Sequence, residues 1–266
     1  MSGLVALTIR ELKKWYKDPF VLGMSIIQPV IWMGLFGKAF NLSGLVGSAG
    51  SGMFENLFGT SDYFSFMAVG IIPMVILFTT MFGGMSIVWD RRLGFLNKVL
   101  STPVARSSIV FSKVFTSVLR SLAQVIIVIL AALALGLVLR PDFDVASLLL
   151  VFGAALLLAI GLASMFIAIA VRSRRWETQM AIANLLNLPL LFASNALFPV
   201  RLMPDWLQTV ANVNPVSYAA DAIRQLLANQ QAIDWTAVGT DFAFLGGFAA
   251  IFGIIGIILS WRFLSR

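Results

Sequence analysis

The chain has 266 residues, of which 59% are hydrophobic and only 12% are charged. A soluble domain carries roughly 25% charged residues, so most of this surface does not face water. The net charge of +7 does not indicate a nucleic-acid partner, because the charges lie in short segments between apolar runs, and the absence of Cys and His excludes thiol and imidazole catalysis.

Residues 2–17 form the first predicted element, an amphipathic helix lying on the inner membrane surface. At about 100° per residue, one helical face carries Val5, Ile9, Leu12 and Tyr16, while the Lys and Arg residues point away. Asp18-Pro19 predicts the end of this helix. The alternative is a basic flank that only orients the protein.

Six apolar runs are long enough to cross a bilayer, since a helix needs about 20 apolar residues for that. The predicted fold is therefore an all-α integral membrane protein with one transmembrane domain, 1–266. Its predicted spans are 20–40, 63–89, 110–139, 145–171, 177–200 and 241–262. The Gly-rich stretch 44–52, after the first span, reads as an external loop.

The segment after the second span, residues 90–108, is the most informative loop. Its periodicity predicts an amphipathic helix from Asp90 to Leu100, with one face made of Trp89, Leu93, Leu96 and Leu100. Pro103 ends it, because the residue before a proline is pushed away from helical geometry. Such a helix can transmit force from a docked partner; a solvated charged loop is the alternative.

Polar residues mark the third and fifth spans. Arg120 is expected to extend its side chain to the headgroups, with a functional buried arginine as the alternative. The fifth span carries a polar stripe at helical spacing: Asn184, Asn187, Ser194 and Asn195. The stripe predicts either packing against another helix or a wet pathway.

Residues 201–233 are too polar and interrupted to span, and they predict two short helices at the outer leaflet. Trp206 and Tyr218 suit the membrane interface. Asn214 is placed to cap the second helix, with Pro215 at its first position.

The Lys and Arg residues predict the orientation. Of the 19 in the chain, 14 fall on the side that holds the N-terminus, the 90–108 segment and the C-terminus. The richer side is cytoplasmic, so both termini of this multi-pass protein are expected inside a plasma membrane.

Several kinds of chemistry are missing. The sequence has no G-x-x-x-x-G-K-[ST] loop, so it lacks the usual cradle for ATP phosphates. Clustered acids that a proton-coupled carrier or a metal site would use are absent from the spans.

Two blocks of residues resemble the type-2 ABC exporter permeases, particularly the daunorubicin-exporter-like branch. One block follows the second span and contains Asp90, Arg91, Arg92, Gly94, Leu96, Lys98 and Pro103. The other lies between the fifth and sixth spans and contains Pro199, Pro204, Trp206, Asn214, Pro215, Tyr218 and Arg224.

The resemblance implies that the first block couples to a separate ATPase subunit and that the second block forms an outer pair of half-helices. It also implies an assembly of two permease copies, as a homodimer, with two ATPase subunits that carry ATP and Mg²⁺. The cargo expected from the resemblance is an amphipathic drug-like or lipid-like molecule, and the chain itself is expected to bind no cofactor or metal and to catalyse no reaction. The alternatives are a secondary transporter, or a non-ABC membrane channel or scaffold.

Overall fold

The computed structural model describes residues 3–38, 58–60, 62–101, 106–173 and 175–264. Within these ranges the chain is helical and has no strand, which confirms the all-α prediction. The stretch 44–52 and Pro103 lie outside the described residues.

Ten α-helices make up this part of the chain. The first half contains α1 (Gly3–Tyr16), α2 (Pro19–Trp32), α3 (Tyr63–Arg92), α4 (Phe95–Leu100) and α5 (Arg106–Leu135), with a π-helical turn (Met33–Lys38) after α2. The second half contains α6 (Val145–Arg172), α7 (Trp176–Phe192), α8 (Asp205–Ala211), α9 (Pro215–Leu227) and α10 (Trp235–Leu264), with a 3-10 turn (Val200–Leu202) before α8.

A bend of 70° separates α1 from α2. Asp18 caps α2 by accepting hydrogen bonds from the N–H groups of Phe20 and Val21, and Pro19 stands at the first helical position. In α1, Thr8 and Glu11 face the bundle, whereas Val5 and Ile9 of the predicted apolar face are exposed. A helix with its apolar side turned away from the protein fits a position on a membrane surface.

The number of membrane crossings depends on the shorter helices. Among the described residues, α3, α5, α6 and α10 are long and apolar enough to cross, and the bent pair α1–α2 would be a fifth span. The α7 helix has 17 residues, or about 26 Å at 1.5 Å per residue, against a hydrocarbon core of about 30 Å. Six crossings therefore stay a prediction.

The centre of the bundle is α3, which is buried along most of its length and contacts α5, α6, α7 and α9. Close approach explains one of its glycines, because a Cβ on Gly70 would lie 1.8 Å from the carbonyl oxygen of Ala196. Small residues permit such contacts between membrane helices. On the other side of the bundle, α10 packs along α6.

The bundle has two distinct ends. At the basic end, α1, the α3–α4 turn, the start of α5 and the α6–α7 turn meet. At the opposite end, the start of α3 contacts the residues that follow α5, and α8 and α9 lie between α7 and α10.

Candidate functional site

Two buried carboxylates form the centre of a charge cluster at the basic end. Glu11 comes from α1 and Asp90 from the last turns of α3, and both are about 4% exposed. Lys113 of α5 lies between them, with its Nζ atom 3.1 Å from the Glu11 carboxylate and 2.5 Å from the Asp90 carboxylate. Burying three charges is tolerable only because each is paired.

Two further cations of α1 complete this charge cluster, which consists of Arg10, Glu11, Lys14, Asp90 and Lys113. Arg10 lies 2.9 Å from the Glu11 carboxylate, and Lys14 lies 3.5 Å from that of Asp90. The pairs join three helices that are far apart in the sequence. The α1 helix is therefore fixed to the ends of α3 and α5.

Arg120 adds a second contact between α5 and α1. Its guanidinium donates a hydrogen bond to the backbone carbonyl of Glu11. The sequence predicted a side chain that extends toward the headgroups; the structure instead directs one of its nitrogens to the protein backbone. Residues Glu11 and Lys113 were not predicted as a pair, and their only signal was a lone acid within a basic helix.

The predicted helix from Asp90 to Leu100 is two helices. After α3 ends at Arg92, Gly94 takes a φ of +70°, and α4 begins at Phe95. The N–H of Leu93 bonds to the Trp89 carbonyl and that of Gly94 to the Arg91 carbonyl, as in a left-handed helix ending. The apolar periodicity continued across this break, so the prediction of one continuous helix was wrong.

The residues predicted to couple to an ATPase divide into inward and outward groups. Asp90 is buried in the charge cluster, and Arg91 donates to the carbonyls of Ser173 (2.6 Å) and Val171 (3.0 Å) at the end of α6. Arg92 and Lys98 are exposed, and Leu93 between them is 70% exposed. We call Arg92, Leu93, Gly94 and Lys98 the coupling surface, after the role that the sequence predicts for them.

The coupling surface is linked to α1 through an aromatic contact. The guanidinium carbon of Arg10 lies 3.4 Å from the centroid of the Phe95 ring in α4. Arg10 also belongs to the charge cluster, and Leu96 lies within the same short helix α4. Displacement of α4 would therefore act on α1 directly.

The polar stripe predicted for the fifth span is interrupted. Asn184 is exposed and Asn187 is buried, while Ser194 and Asn195 follow the end of α7 and do not continue its face. The stripe was wrong at these two positions because α7 ends at Phe192. Its final carbonyls are satisfied from elsewhere, since the Asn214 amide donates to the carbonyls of Leu190 (3.0 Å) and Ala193 (2.5 Å).

At the opposite end, α9 begins as the sequence predicted. Asn214 Oδ1 accepts a hydrogen bond from the Val216 N–H at 3.0 Å, and Pro215 is the first helical residue. Tyr218 donates its hydroxyl to the Asn212 carbonyl and stacks on Phe244. Pro199 and Pro204 flank the 3-10 turn, and Trp206 in α8 is 69% exposed.

Arg224 is a buried cation at this end. Its guanidinium lies 3.4 Å from the Asp221 carboxylate and donates to the Asn195 carbonyl at 2.8 Å. Burial lowers the pKa of Arg224 to about 10, so it remains a cation at neutral pH.

An apolar cleft of about 470 Å³ separates α2 from α3 and α5. Its walls are mainly apolar and include the aromatic and methionine side chains Trp32, Met74 and Phe78. Gln28, Gln124 and the cation Arg120 are among its polar groups. A volume of this size accommodates a small amphipathic molecule.

Comparison with known proteins identifies the family. The model of the ABC-2 type transporter family matches residues 2–228. The chain belongs to this family. It is thus a membrane transport permease, and the resemblance found in the two sequence blocks is confirmed.

Relatives of known name agree with this assignment. A ycf38 transport permease of Porphyra purpurea is 32% identical over 97% of this chain and 84% of its own length. A daunorubicin resistance ABC transporter permease protein, DrrB1, of Streptomyces coeruleorubidus is 27% identical over 75% of this chain and 71% of its own. A doxorubicin resistance ABC transporter permease protein, DrrC, of Mycobacterium tuberculosis is 24% identical over 82% and 74%.

Proposed function

We propose that this ABC-2 permease is the membrane-spanning subunit of an ATP-driven exporter. Two copies assemble with two separate ATPase subunits, which bind ATP and Mg²⁺, and each copy crosses the plasma membrane six times with both termini in the cytoplasm. The distribution of Lys and Arg supports the basic end as the cytoplasmic one.

The observation that carries the proposal is the coupling surface. Leu93 is 70% exposed at the basic end, beyond the last turn of α3, and exposed Arg92 and Lys98 lie beside it. An apolar side chain between two cations suits a protein groove that is apolar in its centre and acidic at its rim.

Contacts behind the coupling surface give a route for force. The α4 helix contacts α1 through Arg10 and Phe95, and the charge cluster joins α1 to α3 and α5. A partner that displaces α4 therefore acts on three helices at once. This sequence has no phosphate-binding loop of its own, so ATP must be hydrolysed on a separate subunit. That subunit needs such a contact to move the permease.

The expected cargo is an amphipathic drug-like or lipid-like molecule. The apolar cleft between α2, α3 and α5 supports this class, since Gln28, Gln124 and Arg120 offer polar groups within walls that are mainly apolar. The names of the daunorubicin and doxorubicin resistance relatives point to the same kind of cargo.

Replacing Leu93 with Asp tests the coupling. A carboxylate would face the acidic rim of the groove and remove the apolar contact, so we expect loss of transport and of cargo-stimulated ATP hydrolysis in proteoliposomes that contain the ATPase subunit. The matched control is Leu202→Asp, because Leu202 is also exposed (57%) but lies in the 3-10 turn at the opposite end.

Membrane insertion and thermal stability are measured for both variants. The proposal fails if Leu93→Asp inserts normally and keeps full transport and full affinity for the ATPase subunit.

A further inference from the structure

A polar cavity of about 690 Å³ lies at the opposite end of the bundle, away from the coupling surface and the apolar cleft. Its walls come from residues just before α3, the turn after α7, and helices α8 and α9. Small-molecule sites have volumes of about 300–1,000 Å³, so this space is larger than a few ordered waters need.

One wall of the cavity is built around buried Arg224, which is 5% exposed. Its guanidinium is paired with Asp221, bonded to the Asn195 carbonyl and placed 3.9 Å from the centroid of the Phe66 ring. The Asn195 amide in turn donates a hydrogen bond to Asp221. The charge of Arg224 is therefore neutralised within the chain, and this wall does not call for an anionic ligand.

The remaining lining suits a neutral ligand with many hydroxyl groups. Six Asn and Gln residues and three aromatic residues line the cavity, and Arg201 is its exposed cation. Amides bond hydroxyls as donors and as acceptors, and aromatic faces pack against the apolar side of a ring.

We propose that this cavity binds the neutral polyhydroxylated headgroup of an amphiphile, held by the amide side chains and aromatic rings of its lining. The inference rests on the proposed function only in taking the amphiphile to be cargo. Binding can be measured without ATP or an ATPase subunit, so failure of the coupling test leaves this site standing, and the reverse also holds.

A cysteine reporter tests the site, because the chain has no Cys. Asn212→Cys places a thiol in the cavity lining, and Thr209→Cys places one on exposed α8 outside it. The full chain in lipid nanodiscs is labelled with a maleimide in the presence of dodecyl maltoside, below its solubilising concentration. At about ten times the Kd, the labelling rate at position 212 should fall about tenfold, and that at position 209 should not change.

Other probes distinguish recognition of the hydroxylated headgroup from recognition of the alkyl tail or of charge. Dodecyl phosphate and a dodecyl ethylene-glycol ether should protect weakly, since neither headgroup offers several hydroxyl groups. Equal protection by all three amphiphiles, stronger protection by the phosphate, or no protection at all would overturn the proposal; the last result would mean that the cavity holds water only. Maltose without a tail should protect less than dodecyl maltoside, and equal protection would assign the site to a free solute.

Discussion

Lys113 of α5 shows how a single buried side chain can hold α1 and α3 against its own helix. Its ammonium group is shared by a carboxylate from α1 and one from α3, and the side chain is 6% exposed. Removing it would leave two acids buried with only Arg10 and Lys14 beside them. Such uncompensated burial is far more costly than the net contribution of the original pairs.

We predict that Lys113→Met lowers the stability of the permease by about 3–5 kcal/mol, the usual effect of breaking a buried ion pair. A thermal melt in detergent measures the loss. Lys98→Met is the matched control, since Lys98 is exposed and its replacement should change stability by less than about 0.5 kcal/mol. Equal melting temperatures for the two variants would contradict a stabilising role of the charge cluster.

Gln179 in α7 presents the reverse case. It is fully buried, and neither its amide nitrogen nor its amide oxygen has a hydrogen-bond partner. We therefore expect Gln179→Leu, of similar volume, to raise stability by about 1–3 kcal/mol by removing unpaired polar atoms. Gln208→Leu is the control that should lower it, because the Gln208 amide donates to the Met203 carbonyl at 2.7 Å. A lower melting temperature for Gln179→Leu would contradict this expectation.

The sequence predicts the role of a residue when its partners are neighbours in the chain, and not when they are distant. The Asn214 cap was predictable, because the asparagine, the proline after it and the N–H it accepts from are neighbours in the chain. Glu11 and Lys113 are separated by about a hundred positions, and only the packing of α1 on α5 brings them together. Sequence periodicity carries no signal for such a pair.

The break between α3 and α4 is the clearest difference at the scale of elements. Apolar spacing predicted one helix, but Gly94 reverses the backbone and sets α4 off from α3. The orientation of the coupling surface depends on this turn. A second difference is the early end of α7, whose last carbonyls accept hydrogen bonds from the Asn214 amide in a later segment.

The effect of a substitution at Gly94 should depend on how readily the new residue adopts a positive φ. At a φ of +70° an alanine costs about 1–2 kcal/mol, whereas asparagine adopts this region more readily. A Cβ at this position would meet no atom within 4 Å, so the chain itself gives no steric reason for glycine. We predict that Gly94→Asn keeps more cargo-stimulated ATPase activity than Gly94→Ala. If both keep full activity while Gly94→Leu loses it, contact with a partner explains the glycine better than its backbone conformation.

At the scale of the whole molecule, the open question is how the short helices sit in the bilayer. Composition predicted six spans, and α3, α5, α6 and α10 alone meet the length and hydropathy requirements as single helices among the described residues. The α2 helix reaches further only with its π-helical turn, and α7 is followed by a turn and two short helices. Where an apolar run continues past the end of its helix, the length of the run overestimates the length of the span.

Cysteine labelling of intact cells tests the crossing by α7 directly. Thr178 lies in the first turn of α7 and Thr209 lies beyond its end. Both are exposed, and replacing a threonine leaves the Lys and Arg distribution unchanged. We predict that an impermeant maleimide labels Thr209→Cys in intact cells and Thr178→Cys only after permeabilisation. Tyr16→Cys and Ser48→Cys make the same comparison across α2, with Ser48 on the outside. Labelling of both threonine positions from one side would mean that α7 enters and leaves by the same face. The number of crossings would then be odd, the two termini would lie on opposite sides, and Arg262 would no longer be cytoplasmic together with Arg10.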